Sequence, residues 1–155
     1  MAITISIEIT RNFEVNAGPD EVFEVLADVP RSASYFPKVD QLVDLGDNCF
    51  RWEMKKIGVD KHAIQTIYAC KYVSDPATRK ITWTPVKGEG NGSVEGEWTI
   101  EGNGQGGTKL KFHTMGELSL PLPGLLKLAV SPVVKHEFNA LVDTYVENLK
   151  KAFNG

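Results

Sequence analysis

The chain has 155 residues, with 17 Lys and Arg against 20 Asp and Glu, giving a formal charge of −3. That length suits one domain, residues 1–155, able to bury a core without disulfides or metal. The mild, mixed charge leaves no basic stripe for phosphate neutralisation and argues against a nucleic-acid partner.

Ile3, Ile5, Ile7 and Ile9 alternate with Thr4, Ser6, Glu8 and Thr10, and the phase continues through Arg11 to Phe13 and Val15. This pattern predicts a long half-buried strand. Its start has neither the basic flank nor the continuous apolar block of a signal peptide. Gly18 and Pro19 stop the strand, and Pro19 with Asp20 and Glu21 suits a helical first turn, where a missing amide hydrogen is harmless and negative charge meets the dipole. Val22, Phe23, Val25 and Leu26 would be the buried face. Asp28 to Pro30 should end that helix, with a second short turn over Arg31 to Phe36 before Pro37.

From Val39 onward the pattern is strand, turn, strand: 39–45, 49–59, 62–73, 79–86, 93–101 and 108–119. The short polar connections predict antiparallel hairpins. Inward positions should be Phe50, Trp52 and Met54; Ile81 and Trp83; Val94, Gly96, Trp98 and Ile100; and Leu110, Phe112, Thr114, Gly116 and Leu118. The opposite phase carries Arg51, Glu53, Lys55, Glu95, Glu97, Lys109 and Lys111, a solvated outer face. Strand 62–73 fits two phases. The one with Ile64, Thr66, Tyr68, Cys70 and Tyr72 inward is favoured because it leaves Gln65 and Lys71 outside.

Gly102-Asn103-Gly104-Gln105-Gly106-Gly107 satisfies the glycine spacing of a dinucleotide fingerprint, but the run leads into a strand, not a helix, and reads as a hairpin turn. His62, His113 and His136 share no metal-ligand spacing, and Cys49 and Cys70 are too few and too far apart for a disulfide framework or zinc site. Neither a metal nor a cofactor is called for. Reduced thiols and the absence of an apolar span predict a cytoplasmic protein.

Leu118 to Val130 is apolar and sits where a lid would. Ser131 and Pro132 could cap and open the last helix, or Pro132 could kink one longer helix. Over Val133 to Phe153 the residues Val134, Phe138, Leu141, Tyr145, Leu149 and Phe153 recur at spacings of three and four, a helix with one buried stripe. Seven strands at about 4.8 Å each span roughly 34 Å, whereas one helix is about 10 to 12 Å across. The sheet must curl around the helix, and unfilled volume becomes a cavity. Three Trp on one concave face would line it with large apolar surfaces whose indole hydrogens want partners.

Arg11 is inward by phase; unless a bulge near Asn12 turns it out, it must pair with a carboxylate, a carbonyl or the ligand. The candidate ligand-binding residues are Arg11, Tyr35 and Phe36; Trp52, Met54, Thr66 and Tyr68; Trp83, Trp98, Phe112, Thr114 and Leu118; Leu122, Leu126 and Val130 of the lid; and Val134, Phe138, Leu141 and Tyr145 of the helix. No catalytic residue is assigned.

Phe13-Glu14-Val15-Asn16-Ala17 followed by Pro19-Asp20-Glu21-Val22-Phe23-Glu24-Val25-Leu26-Ala27-Asp28 resembles the opening of the START and birch-pollen-allergen (SRPBCC) superfamily. The resemblance extends through Tyr35-Phe36-Pro37, Gly107-Thr108 and the terminal helix, and is strongest to the polyketide cyclase and dehydrase type, including the coenzyme-Q-binding and carbon monoxide dehydrogenase-associated branches. It implies an α+β helix-grip fold with a deep hydrophobic cavity for a lipid, quinone or polyketide-like ligand. A carrier of such a molecule is the leading expectation. The alternatives are a polyketide cyclase or aromatase, with Arg11, Thr66, Tyr68, Thr114 and Tyr145 as polar candidates, or a module that docks transiently to a membrane or a protein through 118–130.

Overall fold

The computed structural model describes residues 3–59 and 62–154. β1 (Ile3–Val15) leads through α1 (Pro19–Ala27) and α2 (Val29–Ala33) into β2 (Val39–Gly46), β3 (Cys49–Met54), β4 (Ile57–Val59), β5 (His62–Ile64), β6 (Ile67–Asp75), β7 (Lys80–Pro85), β8 (Gly92–Gly102) and β9 (Thr108–Leu120). A 3₁₀ turn (Gly124–Leu126) and α3 (Lys127–Asn154) complete the chain. Seven strands form one antiparallel sheet in the order β1-β9-β8-β7-β6-β3-β2, while β4 and β5 pair only with each other. This is a helix-grip fold, with the concave face of the sheet packed on α3.

Two expected strands divide. The stretches 49–59 and 62–73 leave the main sheet after Met54 and rejoin it at Ile67, so that β4 and β5 project as a hairpin of their own; Asp60 and Lys61 of its connection lie outside the described residues. The inner phase chosen for the second stretch holds: Ile64, Thr66 and Cys70 are buried, and Tyr68 and Tyr72 face the concavity. Ala69, of the opposite phase, is buried as well, its carbonyl accepting from the Val86 amide.

Asp28 closes α1 and opens α2, its carboxylate accepting from the Arg31 amide at 3.3 Å. Pro30 therefore starts the second helix and does not only end the first. The final helix starts at Lys127, six residues before Val133, with Pro132 inside it. The carbonyl that Pro132 deprives of its helical partner belongs to Leu128, on the solvent side, where the loss is cheap. The glycine-rich run is a hairpin turn: Gly104 and Gly106 adopt φ of 80° and 85°, and the Asn103 side-chain oxygen accepts from the amides of Gln105 and Gly107.

Three buried groups make up the interior. The largest joins the concave sheet to α1 and the C-terminal half of α3, around Trp83, Trp98, Phe112 and Tyr145. A second joins Val29 and Ala33 to Phe50, Trp52, Met54 and Leu141. The third lies at the opposite end, where Leu122, Val130 and Val134 cover Ile3, Ile5, Ile64, Leu118 and Leu120. Gly96 makes this packing feasible. A Cβ there would lie 2.3 Å from the His113 carbonyl oxygen and 2.6 Å from Trp83 Cζ2, so the missing side chain is what lets the indole lie against β8. Gly96→Ala should therefore destabilise the protein by about 1–3 kcal/mol and shift Trp83, read from the denaturation midpoint and from fluorescence.

Candidate functional site

A cavity of about 110 Å³ lies between the concave sheet and α3. Ile7 and Ile9 of β1, Trp52 of β3, Tyr68 and Tyr72 of β6, Ile81 and Trp83 of β7, Val94 and Trp98 of β8, and Phe112, Thr114, Gly116 and Leu118 of β9 supply the sheet wall. Leu26, Val29, Ser32 and Phe36 close one flank, and Phe138, Val142 and Tyr145 form the helix side. Ile7 and Phe138 touch both the main core and the group under the lid, so the hollow sits between those two packed regions. The exposed Glu117 and the half-buried Gly92 also border it and mark its communication with solvent.

The strand alternation brings aromatic rings to this wall, and most of them meet edge-on or tilted. Trp98 and Phe112 are 4.8 Å apart between centroids, Trp83 and Phe112 5.7 Å, and Phe36 and Trp52 5.7 Å; Trp52 and Tyr68 stack at 5.9 Å with planes only 10° apart. Such contacts each add about 0.5–1.5 kcal/mol beyond burial.

The polar groups in this apolar setting differ in how they are satisfied. Tyr145 Oη shares a 2.5 Å hydrogen bond with Ser32 Oγ. Tyr72 Oη accepts from Trp52 Nε1 at 2.9 Å, and Thr114 Oγ1 donates to the Glu95 carbonyl at 3.1 Å. Among the described residues, every fully enclosed side-chain polar atom is paired. Tyr68 Oη and Thr66 Oγ1 have no protein partner there and open instead onto the hollow that both residues line, although Thr66 is only 8% exposed. The two flank Gly92, where an added Cβ would come within 3.3 Å of Tyr68 Cβ and 3.6 Å of Thr66 Cγ2. Burial drives all three phenols towards the neutral form: Tyr68 and Tyr72 are raised well above the usual tyrosine range, and Tyr145 is pushed up to about 12. Cys70, buried beside them with its thiol donating to the Val94 carbonyl, is likewise raised to about 12.

Eleven of the residues expected to bind ligand meet at this cavity: Phe36, Trp52, Thr66, Tyr68, Trp83, Trp98, Phe112, Thr114, Leu118, Phe138 and Tyr145. The other eight do not line it. Arg11 keeps its strand phase, since the β1–β9 ladder runs without a bulge from Ile3 to Val15. However, β1 is a sheet edge, and α3 offers Asp143 Oδ1 at 2.7 Å and Asn139 Oδ1 at 2.9 Å outside the hollow. Tyr35 packs on the core margin and gives its carbonyl to Asn148. Met54 and Leu141 are consumed in packing beneath α2. Leu122, Leu126, Val130 and Val134 pack against β1, β5 and β9 one layer beyond the cavity. Conversely, Ser32, Leu26 and Val29 also line it; the apolar spacing of the first short helix marks Leu26 as buried, but nothing in the sequence says that this face meets the hollow.

Among the described residues, no three His, Cys, Asp or Glu side chains cluster as metal ligands would, and no helix is long and apolar enough to cross a membrane. A curved sheet gripping one helix around an apolar hollow defines a START-like helix-grip protein. The chain belongs to the polyketide cyclase / dehydrase and lipid transport family, whose sequence profile matches residues 6–154. Its structure is similar to that of a START superfamily protein from Mycobacterium smegmatis, at TM-score 0.67 and 16% identity over 94% of this chain and 96% of that one. It is also similar to the Zhui aromatase/cyclase from Streptomyces sp. R1128, at TM-score 0.60 and 19% identity over 96% and 91%. Major latex-like protein 151 from Panax ginseng shares the fold at TM-score 0.57 and 10% identity over 96% and 98%. No curated protein matches the chain in sequence.

The raised phenol of Tyr145 makes stability depend on pH with a definite sign. Its folded value of about 12 lies above the ordinary 10, so its contribution is complete below pH 10 and is lost as pH climbs from there to 12. Denaturant midpoints measured across that range should fall, and Tyr145→Phe should fall less steeply than wild type.

Proposed function

We propose that this protein binds and carries a neutral hydrophobic molecule, placing a ring or short chain in the cavity and an oxygen of that molecule against Tyr68. The observation that carries this reading is the pair of hydroxyls, Tyr68 Oη and Thr66 Oγ1, that lack protein partners among the described residues and open onto an otherwise apolar hollow. Since no enclosed side-chain polar atom among the described residues is unpaired, both hydroxyls are open to solvent, and exchanging water for a ligand oxygen there contributes about 0.5–1.5 kcal/mol. Because burial keeps Tyr68 protonated, its hydroxyl can donate to a carbonyl or ether oxygen. A charged ligand is disfavoured: the only ionisable carboxylate at the border is Glu117, and no cation lines the cavity among the described residues.

Size narrows the class further. A dry cavity of about 150 Å³ holds a benzene ring, and pockets for drug-sized ligands run to about 300–1,000 Å³. At about 110 Å³ the hollow suits a single ring or short chain. A quinone head or one cyclised unit of a polyketide fits this description with its remainder outside, whereas a whole lipid requires the lid of Leu122, Val130 and Val134 to lift from Ile64. The cyclase alternative needs a base. The phenols at the cavity are neutral, and among the described residues the one carboxylate that borders it, Glu117, is exposed at the rim and not inside, which supports binding over enolisation.

Paired probes of closely similar shape and one small ring test this reading, for instance methylenecyclopentane against cyclopentanone, with binding followed through quenching of Trp83 and Trp98 fluorescence. Wild type should bind both, and Tyr68→Phe should weaken the ketone by about five- to ten-fold while leaving the hydrocarbon unchanged. Failure of both probes to bind, together with no ligand found by native mass spectrometry of gently purified protein, would sink the carrier reading. Turnover of a poly-β-ketone that Tyr68→Phe abolishes would replace it with the cyclase.

A further inference from the structure

We infer that the corner formed by the 3₁₀ turn and the first turns of α3 docks on the surface of an anionic lipid bilayer, with Leu125 and Leu128 as the side chains that enter it. These leucines are 94% and 89% exposed, and Val133, one turn further along, is exposed too. A helix at a protein surface normally turns polar residues outward. This stretch is apolar on both sides: Leu122, Val130 and Val134 pack inward under the lid, while Leu125, Leu128 and Val133 point to water.

Charge selects the partner. The chain as a whole carries −3, yet residues 118–136 hold Lys127, Lys135 and His136 and not one Asp or Glu. Lys127 and Lys135 are both exposed and, with Leu128, Ser131 and Pro132, border one shallow surface hollow. Two protruding leucines flanked by lysines are too small a patch for a stable protein interface, which needs about 1,000 Å² or more. They match the needs of an interfacial anchor, where apolar side chains enter the acyl boundary and basic ones remain at the phosphates. The same segment packs one layer beyond the cavity, over Ile3, Ile5 and Ile64, so docking would bring that end of the hollow towards the phase in which a hydrophobic ligand is dissolved. The docking inference does not itself require that cavity to be occupied.

Co-sedimentation of the full chain with vesicles tests it, using phosphatidylcholine alone and phosphatidylcholine mixed equally with phosphatidylglycerol. Wild type should partition onto the anionic vesicles and be released by added salt. Leu125→Asp with Leu128→Asp should lower partitioning at least about ten-fold without changing the thermal midpoint, because neither side chain belongs to a core. Lys127→Gln and Lys135→Gln should each lower it about five-fold, on anionic vesicles only. Equal partitioning of wild type and the Asp double variant would overturn the inference. So would a wild-type dimer in sedimentation that fails to bind vesicles and that the leucine substitutions convert to monomer, because that result assigns the patch to a second copy of the chain.

Discussion

A sheet of seven strands is wider than any single helix that can lie on it, and the shape of this molecule follows from that mismatch. At about 4.8 Å per strand against a helix about 10–12 Å across, α3 covers the middle of the concave face and leaves two regions to be closed by other means. On one flank α1 and α2 bring Leu26, Val29 and Ser32 over the sheet. At the opposite end the lid segment and β5 do the same with Leu122, Val130 and Ile64. The edge strand β1 is joined to α3 by Arg11, which donates to Asp143 and Asn139, a half-exposed contact whose contribution to stability is small.

What remains between these closures is limited by the aromatic wall. Phe13, Trp98, Phe112, Trp83 and Tyr72 form a continuous chain of neighbours with centroids 4.8–6.0 Å apart. These contacts are tilted or edge-on, as ring quadrupoles favour. Rigid rings held at such angles cannot follow a curved surface as closely as flexible aliphatic chains can. Packing therefore narrows the hollow without eliminating it. Gly96 sets the balance at one point: with any Cβ there, Trp83 would have to swing away from β8 and into the space that is now open.

The alternation of apolar and polar residues made most of the fold legible. Strand phase placed Trp52, Trp83, Trp98 and Phe112 on one concave face, because a period of two needs no knowledge of distant residues. The same signal could not reveal how far along a strand the sheet itself continues. Met54 and Ile67 mark where two chain segments abandon it for the β4–β5 hairpin; alternation runs unbroken from Ile64 to Tyr72, and only Lys55-Lys56, which puts Ile57 and Val59 in the opposite phase, marks the departure after Met54. Nor does inward phase distinguish a residue that meets a cavity from one that meets another side chain. Val134 and Phe138 lie on the same helical stripe; Val134 packs with Leu122 and Val130 against Ile3 and Ile64, whereas Phe138, one turn on, borders the hollow. Arg11 illustrates the same limit, since its direction was set by its own strand and its fate by a carboxylate 132 residues away.

The three cavity tyrosines carry this distinction into function. Tyr68 and Tyr72 share one strand and one phase, and Tyr145 faces them from the helix. Tyr145 is buried, Tyr68 and Tyr72 partly so, and desolvation holds each neutral. Tyr72 is committed to Trp52, and Tyr145 to Ser32, by contacts that stiffen the wall. Tyr68 is stacked on Trp52 and so fixed in orientation, yet its hydroxyl has no protein partner among the described residues. A hydroxyl whose ring is immobilised but whose hydrogen bond is unspent is preorganised, because recognition then costs little side-chain entropy. The selectivity expected of such a site is for an oxygen at one fixed place on an apolar body. That demand favours an oxygen-bearing ligand over a wholly hydrocarbon one by a single hydrogen bond, and disfavours a charged ligand far more strongly.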